Sequence, residues 1–253
     1  MINYFRDIIS LDNSDVFLMS YPKSGNTRYR MAIAQYLKLY IEDFSERFSY
    51  DYVNSVLPEF GKGNIAEIRQ FYYSKELYFG GFPLFIKSHL SYPIVSLLVR
   101  KNPILYIERN SPDTVMSYYD YCLARKIIGE NYSFSKFLRS PKFGIGKLVL
   151  YSKHMNLACS HKILYDDLLY RDIDVILNSL KFLGVDFNVG LMTEAIKLTR
   201  RDKAVNFKNK LDSSSYNFAA SKSRILTDYF SDSDVVYYNK IISSNPLFSK
   251  IPL

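Results

Sequence analysis

Asp15-Val16-Phe17-Leu18-Met19-Ser20-Tyr21-Pro22-Lys23-Ser24-Gly25-Asn26-Thr27 is the stretch on which the fold turns. Its first half is a short apolar run closed by Pro22, which predicts a strand buried on both faces. Pro22 to Asn26, around Gly25, predicts a turn. From Thr27 the apolar positions Met31, Ile33, Ala34, Leu37 and Ile41 follow a roughly helical spacing, so a helix begins there.

The same alternation recurs along the chain. Pro83-Leu84-Phe85-Ile86 reads as a strand leading into Lys87-Ser88-His89. Pro103-Ile104-Leu105-Tyr106-Ile107 leads into Glu108-Arg109, and Asn110-Ser111-Pro112-Asp113 then has the signature of a helix start with proline in the first turn. Lys162-Ile163-Leu164-Tyr165 is followed by Asp166-Asp167 and a helix expected to end near Gly184. Strands alternating with helices predict an α/β fold whose central parallel sheet is flanked by helices on both faces. Chemistry in such a fold lies at the carboxyl ends of the strands. No repeat, low-complexity tract or Gly/Ser linker interrupts the chain, so residues 1–253 are read as a single domain.

Composition narrows the classes. Aromatic residues make up 16% of the chain, 23 Tyr and 18 Phe, too many to remain in water, which excludes disorder as the main state. The two cysteines, Cys122 and Cys159, lie far apart and outside any C-x-x-C pair, which excludes a disulfide scaffold and points to a reducing compartment. No run is long and apolar enough to span a bilayer and no signal-peptide core is present, so a cytoplasmic protein without a membrane partner is expected. The net charge of +8 attracts anions. Its Lys and Arg are spread along the chain, which disfavours nucleic acid and leaves a focused anion pocket open.

Three motifs could supply that pocket. In residues 21–27 a loop between strand and helix turns N–H groups and a helix N-terminus toward an anion, with Lys23 adding charge and Ser24 and Thr27 adding hydroxyls. It is not a Walker A loop, and an ordinary strand–turn–helix junction has the same local pattern. In the second, Lys87 and His89 stand two apart on a strand and point the same way. A His beside a Lys tends to stay neutral, as a general base must, although on these residues alone a solvated Lys with a structural His is the more common reading. In the third, Arg109 ends a strand and Ser117 follows about two turns into a helix; Arg offers a planar fork for phosphate, or a surface salt bridge. No His/Cys/carboxylate cluster has metal-ligand spacing. His154 and His161 are read as structural or exposed.

Taken together, these residues resemble the sulfotransferases that use 3′-phosphoadenosine 5′-phosphosulfate (PAPS) as donor. Residues 21–27 resemble the family's 5′-phosphosulfate loop, closest to a bacterial branch reading YPKSGNTW with an Arg two residues on, which Arg30 matches. Arg109 to Ser117 resembles the 3′-phosphate motif. Phe85-Ile86-Lys87-Ser88-His89-Leu90 resembles the strand bearing the catalytic Lys and His. Tyr165-Asp166-Asp167-Leu168 and Phe182-Leu183-Gly184 resemble two further landmarks.

The resemblance implies a P-loop NTPase-like sulfotransferase fold and in-line transfer of a sulfuryl group to a hydroxyl, or an amine, of a small-molecule acceptor, without a metal. It implies His89 as general base and Lys87, Lys23 and Ser117 as its catalytic companions, with Ser117 also restraining Lys23. For the nucleotide it implies Lys23, Ser24, Gly25, Asn26 and Thr27 at the 5′-phosphate, Arg109 and Ser117 at the 3′-phosphate, and Tyr165 at the adenine. Two positions depart from the pattern. Arg28 stands where the family has a Trp stacked on adenine, so its guanidinium plane takes that place or leaves it to another residue. The C-terminal Arg-Lys-Gly clamp is missing; Lys222, Ser223 and Arg224, ahead of Asp228-Tyr229-Phe230-Ser231, either do its work or form a loop of solvated charges.

The aromatic-rich stretch 44–82, with Phe71-Tyr72-Tyr73 and Tyr78-Phe79 prominent, collectively suits a wall for the acceptor, although any one of these aromatics reads more readily as core, and Asp51, Glu59 and Asp120 are candidates to favour a cationic acceptor. The alternatives are a P-loop nucleotide or small-molecule kinase, a degenerate nucleotide-binding protein and, on charge alone, a nucleic-acid binder.

Overall fold

The computed structural model describes residues 2–42, 47–77, 81–90, 101–200, 225–243 and 251. Helix α1 (Ile2–Ile9) precedes β1 (Val16–Ser20), which feeds α2 (Asn26–Tyr40). Helices α3 (Tyr50–Val56) and α4 (Ile65–Ser74) lead to β2 (Phe85–Ser88). Strand β3 (Ile104–Glu108) feeds α5 (Ser111–Ala124), and α6 (Phe134–Arg139) and α7 (Ile145–Ala158) follow. Strand β4 (His161–Leu164) runs into α8 (Tyr165–Tyr170), α9 (Asp172–Phe182) and α10 (Val189–Leu198), and α11 (Asp232–Ile242) comes last.

The four strands form one parallel sheet in the order β2-β1-β3-β4. The two central strands, β1 and β3, are buried at every position, while β4 at one edge is partly exposed. That is the pattern of a sheet covered by helices on both faces. The chain goes from β1 to β2 on one side and returns to β3 on the other, so the carboxyl ends of β1 and β3 flank a topological switch point, where α/β folds open a crevice.

Boundaries differ from the sequence reading in physically understandable ways. Strand β2 is displaced toward its carboxyl end, pairing Phe85 with Val16 and Lys87 with Leu18. Pro83 has no N–H for the ladder, and the pairing starts where Val16 N–H donates to the Leu84 carbonyl (3.0 Å). Tyr165 opens a helix instead of ending a strand. The helix start at Asn110 is as expected, its side chain accepting from the Asp113 N–H. Gly184 follows α9 at φ 67°, the left-handed stop that glycine supplies. Among the described residues, no helix is long and apolar enough to cross a membrane.

Candidate active site

The loop after β1 is shaped by two left-handed residues, Lys23 (φ 71°) and Gly25 (φ 104°). At Gly25 a Cβ would meet the Tyr165 ring at 2.3 Å, so the close approach of loop and ring requires glycine. The Asn26 side chain is turned inward and donates to the Leu18 carbonyl (3.1 Å) and Ser20 Oγ (3.3 Å), tying the start of α2 to the end of β1. The N–H groups of Asn26 and Thr27 belong to the first turn of α2 and have no acceptor within the helix. Both residues line the cavity at the positive end of a 15-residue helix.

Arg109 follows β3 and stitches three segments together. Its Nη2 donates to Asp113 Oδ2 (3.2 Å) and its Nη1 to the Lys23 carbonyl (3.4 Å). Its guanidinium lies 4.6 Å from the centre of the Tyr165 ring. Helix α5 then presents Ser117, Tyr118, Tyr121 and Arg125 to the same cavity, and the Lys23 ammonium lies 5.1 Å from the Tyr121 ring centre.

The far wall is electrostatic. Phe60 N–H donates to the Lys87 carbonyl and Lys87 N–H to the Pro58 carbonyl, both at 2.9 Å, so residues 58–60 add a short parallel bridge to the edge of β2. The bridge sets Glu59 opposite Lys87, and Lys87 Nζ donates to Glu59 Oε2 at 3.0 Å. Burial pulls the Lys87 ammonium below its ordinary pKa, against Glu59, which opposes the fall. Burial pushes the Glu59 carboxyl up, but Lys87 and His89 more than offset this and hold it below the ordinary value.

His89 Nδ1 lies 2.7 Å from the Ser20 carbonyl, which can only accept, so Nδ1 carries the proton and Nε2 keeps a lone pair. Burial first, then the Lys87 charge, push His89 down to about 4, so the imidazole is neutral at pH 7. Behind them Arg30 is fully buried, donating through Nη2 to the Leu57 carbonyl (2.6 Å) and Asn54 Oδ1 (3.2 Å).

These groups enclose one cavity of about 490 Å³ at the carboxyl end of the sheet. Lys23, Gly25, Asn26, Thr27, Arg28, Lys87, His89, Arg109, Ser117 and Tyr165 all line it. Ser24 does not: it is 2% exposed and sits beneath the loop. Lys222, Ser223 and Arg224 lie outside the described residues.

Arg28 reaches the wall, but its guanidinium is held from behind, Nε by the Leu168 carbonyl and Nη2 by Asp172 Oδ2, both at 2.9 Å. Asp172 is shared with Arg200. The expected aromatic wall is largely absent: of the described aromatics in 47–77 and Phe82, only Tyr50 lines the cavity. Tyr72 is wholly buried in the core, and Tyr78 and Phe79 are outside the described residues. Asp51 and Asp120 are not on the wall, and Asp120 accepts from Tyr229. His154 and His161 lie elsewhere, His161 against Phe182.

Tyr118, Tyr121, Arg125 and Lys62 were not found from the sequence. Tyr121 and Arg125 follow Ser117 at four and eight residues, so a helical projection from that serine would have reached them, but not Tyr118, the very next residue.

A family model described as "Sulfotransferase domain" matches residues 13–228. No curated protein sequence matches the chain. Among solved structures, the chain is similar to retinol dehydratase in complex with androsterone and the inactive cofactor PAP (17% identity, 100% of this chain and 88% of that one, TM-score 0.65). It is also similar to mouse sulfotransferase SULT7A1 complexed with PAP (20% identity, 95% and 88%, TM-score 0.62), and to retinol dehydratase with retinol and PAP (16% identity, 99% and 87%, TM-score 0.61). At such identities the likeness establishes the fold, and the family match covers most of the chain. The chain therefore belongs to the sulfotransferase domain family, whose chemistry is the PAPS-dependent transfer of a sulfuryl group.

Proposed function

We propose that this protein, acting as one sulfotransferase domain, moves the sulfuryl group of PAPS to the hydroxyl of a small-molecule acceptor, with His89 as general base. The observation that carries the reading is the charge of the cavity wall. Among the described residues, Lys23, Arg28, Lys62, Lys87, Arg109 and Arg125 line it against a single carboxylate, Glu59, beside the first turn of α2. Such a wall suits a ligand carrying several phosphate and sulfate charges. Gly25 at φ 104° allows the turn that leads the loop into the N-terminus of α2, where anions are favoured.

When bound, PAPS supplies an activated sulfuryl group on a phosphate leaving group. Lys23 and the amides of residues 25–27 hold the 5′-phosphate and offset charge developing there. Arg109 and Ser117 hold the 3′-phosphate, and Tyr165, beneath Arg109, contacts the adenine. Arg28 contributes its exposed edge. Lys87 meets the sulfuryl oxygens. His89, with its Nε2 lone pair available and its Nδ1 fixed by Ser20, takes the proton of the attacking hydroxyl. The androsterone and retinol in two similar structures favour a small alcohol as acceptor. Nucleic acid and membrane are not part of this reading.

Calorimetric titration with 3′-phosphoadenosine 5′-phosphate (PAP), ATP–Mg²⁺ and an oligonucleotide tests it. Tight binding of PAP alone is expected. Preference for ATP–Mg²⁺ would favour a kinase, and preference for the oligonucleotide a nucleic-acid binder. PAP binding without turnover of PAPS across a panel of alcohols and phenols would leave a degenerate binding protein.

A further inference from the structure

We infer that Glu59 is a positioning residue of this site, holding the Lys87 ammonium and balancing the charge around His89 from across the β2 edge. The inference rests on the sulfuryl-transfer reading above and adds to it a residue outside the nucleotide motifs.

Three observations carry it. First, the placement is rigid. The backbone bridge puts Glu59 directly opposite Lys87, where cross-strand side chains meet, and the carboxylate accepts from Nζ at 3.0 Å.

Second, the segment is locked from its other end. Asp7 of α1 is wholly buried and accepts from the N–H groups of Gly61 (2.6 Å), Gly63 (3.1 Å) and Ile65 (3.4 Å). Gly61 and Gly63 both have positive φ, so the chain just after Glu59 wraps a carboxylate in a nest of amides.

Third, the charges need it. Arg30 from α2, Lys87 from β2 and His89 just beyond β2 all act on Glu59, and Tyr50 from α3 faces the same carboxylate. Lys62, from Glu59's own loop, adds a further positive charge facing Lys87. Among the described residues that line the cavity, Glu59 is the only carboxylate.

With Glu59 in place, a buried Lys87 keeps its proton, and the imidazolium formed when His89 takes a proton has a negative neighbour. Without it, several cations crowd one desolvated corner. A pair that only braced the sheet edge would have no need to open onto the cavity, as both partners do.

The test compares Glu59→Gln with Glu59→Asp. Lysine-selective ¹³C NMR, with the Lys87 signal assigned through Lys87→Arg, reads the ammonium titration and requires neither donor nor acceptor. Glu59→Gln should lower the Lys87 midpoint by about half a pH unit or more, while Glu59→Asp, which keeps the charge, should restore most of it. PAP affinity should stay within about threefold in both variants, because the Glu59 carboxylate is engaged with Lys87 at the β2 edge and PAP lacks the sulfuryl group assigned to Lys87. PAPS-dependent sulfation of 2-naphthol should fall about tenfold or more in kcat for Glu59→Gln, with KM for PAPS little changed.

An unmoved Lys87 midpoint in Glu59→Gln, or loss of PAP affinity as large as the loss of turnover, overturns the assignment. Should Glu59→Gln fail to fold, Glu59→Asp decides: its shorter reach should cost turnover severalfold, and undiminished turnover refutes the role. Failure of the unmodified protein to bind PAP would instead refute the donor reading, leaving the Lys87 titration as a separate result.

Discussion

The two ends of the cavity are built on different principles. The loop end is made locally: residues 22–27 follow β1 without interruption, and their positive character comes from backbone amides, a helix terminus and Lys23. The His89 end is assembled from afar. Glu59, Lys87, His89, Arg30 and Tyr50 arrive from four separate segments, and their behaviour is set by burial and by one another. A locally built site depends on conformation, so glycine matters most there. An assembled site depends on charge balance, so side-chain identity matters most.

The largest expected effect separates the two ends directly. His89→Ala should cut turnover of PAPS with an alcohol or phenol acceptor by about a hundredfold or more while PAP affinity and thermal stability stay nearly intact. Comparable loss of PAP binding in calorimetry would show that the two ends are one coupled unit.

Arg109→Ala is the counterpart at the loop end. Loss of a charge-assisted contact should weaken PAP by about 2 kcal/mol, near thirtyfold, and adenosine 5′-phosphosulfate, which lacks the 3′-phosphate, should bind intact protein much less tightly. Equal affinities for the two nucleotides would remove Arg109 from its assigned place.

Gly25→Ala tests conformation without touching charge. Its φ of 104° and the 2.3 Å approach of a Cβ to Tyr165 predict strain. PAP affinity should drop by about tenfold, with a loss of stability of about 1–2 kcal/mol by chemical denaturation. Lys87 and His89 titrations should not move.

The smallest effect is in pH dependence. With His89 pushed down to about 4, turnover should be flat around neutrality and fall only as pH approaches that value. In the unfolded chain the same imidazole titrates near its ordinary value of about 6.5, so between there and about 4 the unfolded state binds more protons. Stability should therefore decline as pH falls through that window, and His89→Gln should flatten the decline in urea-denaturation series. An identical slope in the variant would contradict the buried, neutral imidazole.

Much of this was readable before any coordinates. The apolar run 16–20 closed by Pro22 could satisfy its backbone only as an inner strand, and it is the most deeply buried strand of the sheet. Lys23, Gly25, Arg109, Lys87 and His89 stand at or just past strand ends and Ser117 on the helix that follows one, and all six line one cavity. The acceptor side was less legible. An aromatic such as Tyr72 is equally suited to a core and to a pocket, and the chain buries it in the core. Arg28 likewise reads as a free guanidinium until Asp172 and the Leu168 carbonyl, both over 100 residues away, claim it.

Local order of side chains thus decided the strand–loop–helix units, their succession along the chain and the end of the sheet at which the chemistry lies, because hydrophobic period and turn chemistry act over a few residues. The tertiary structure alone decided that Glu59 faces Lys87, that an N-terminal carboxylate pins the loop beyond it, and that burial comes before the Lys87 charge in keeping His89 neutral. Those outcomes depend on burial and on contacts between distant segments, and neither desolvation nor a through-space charge is encoded in the spacing of residues.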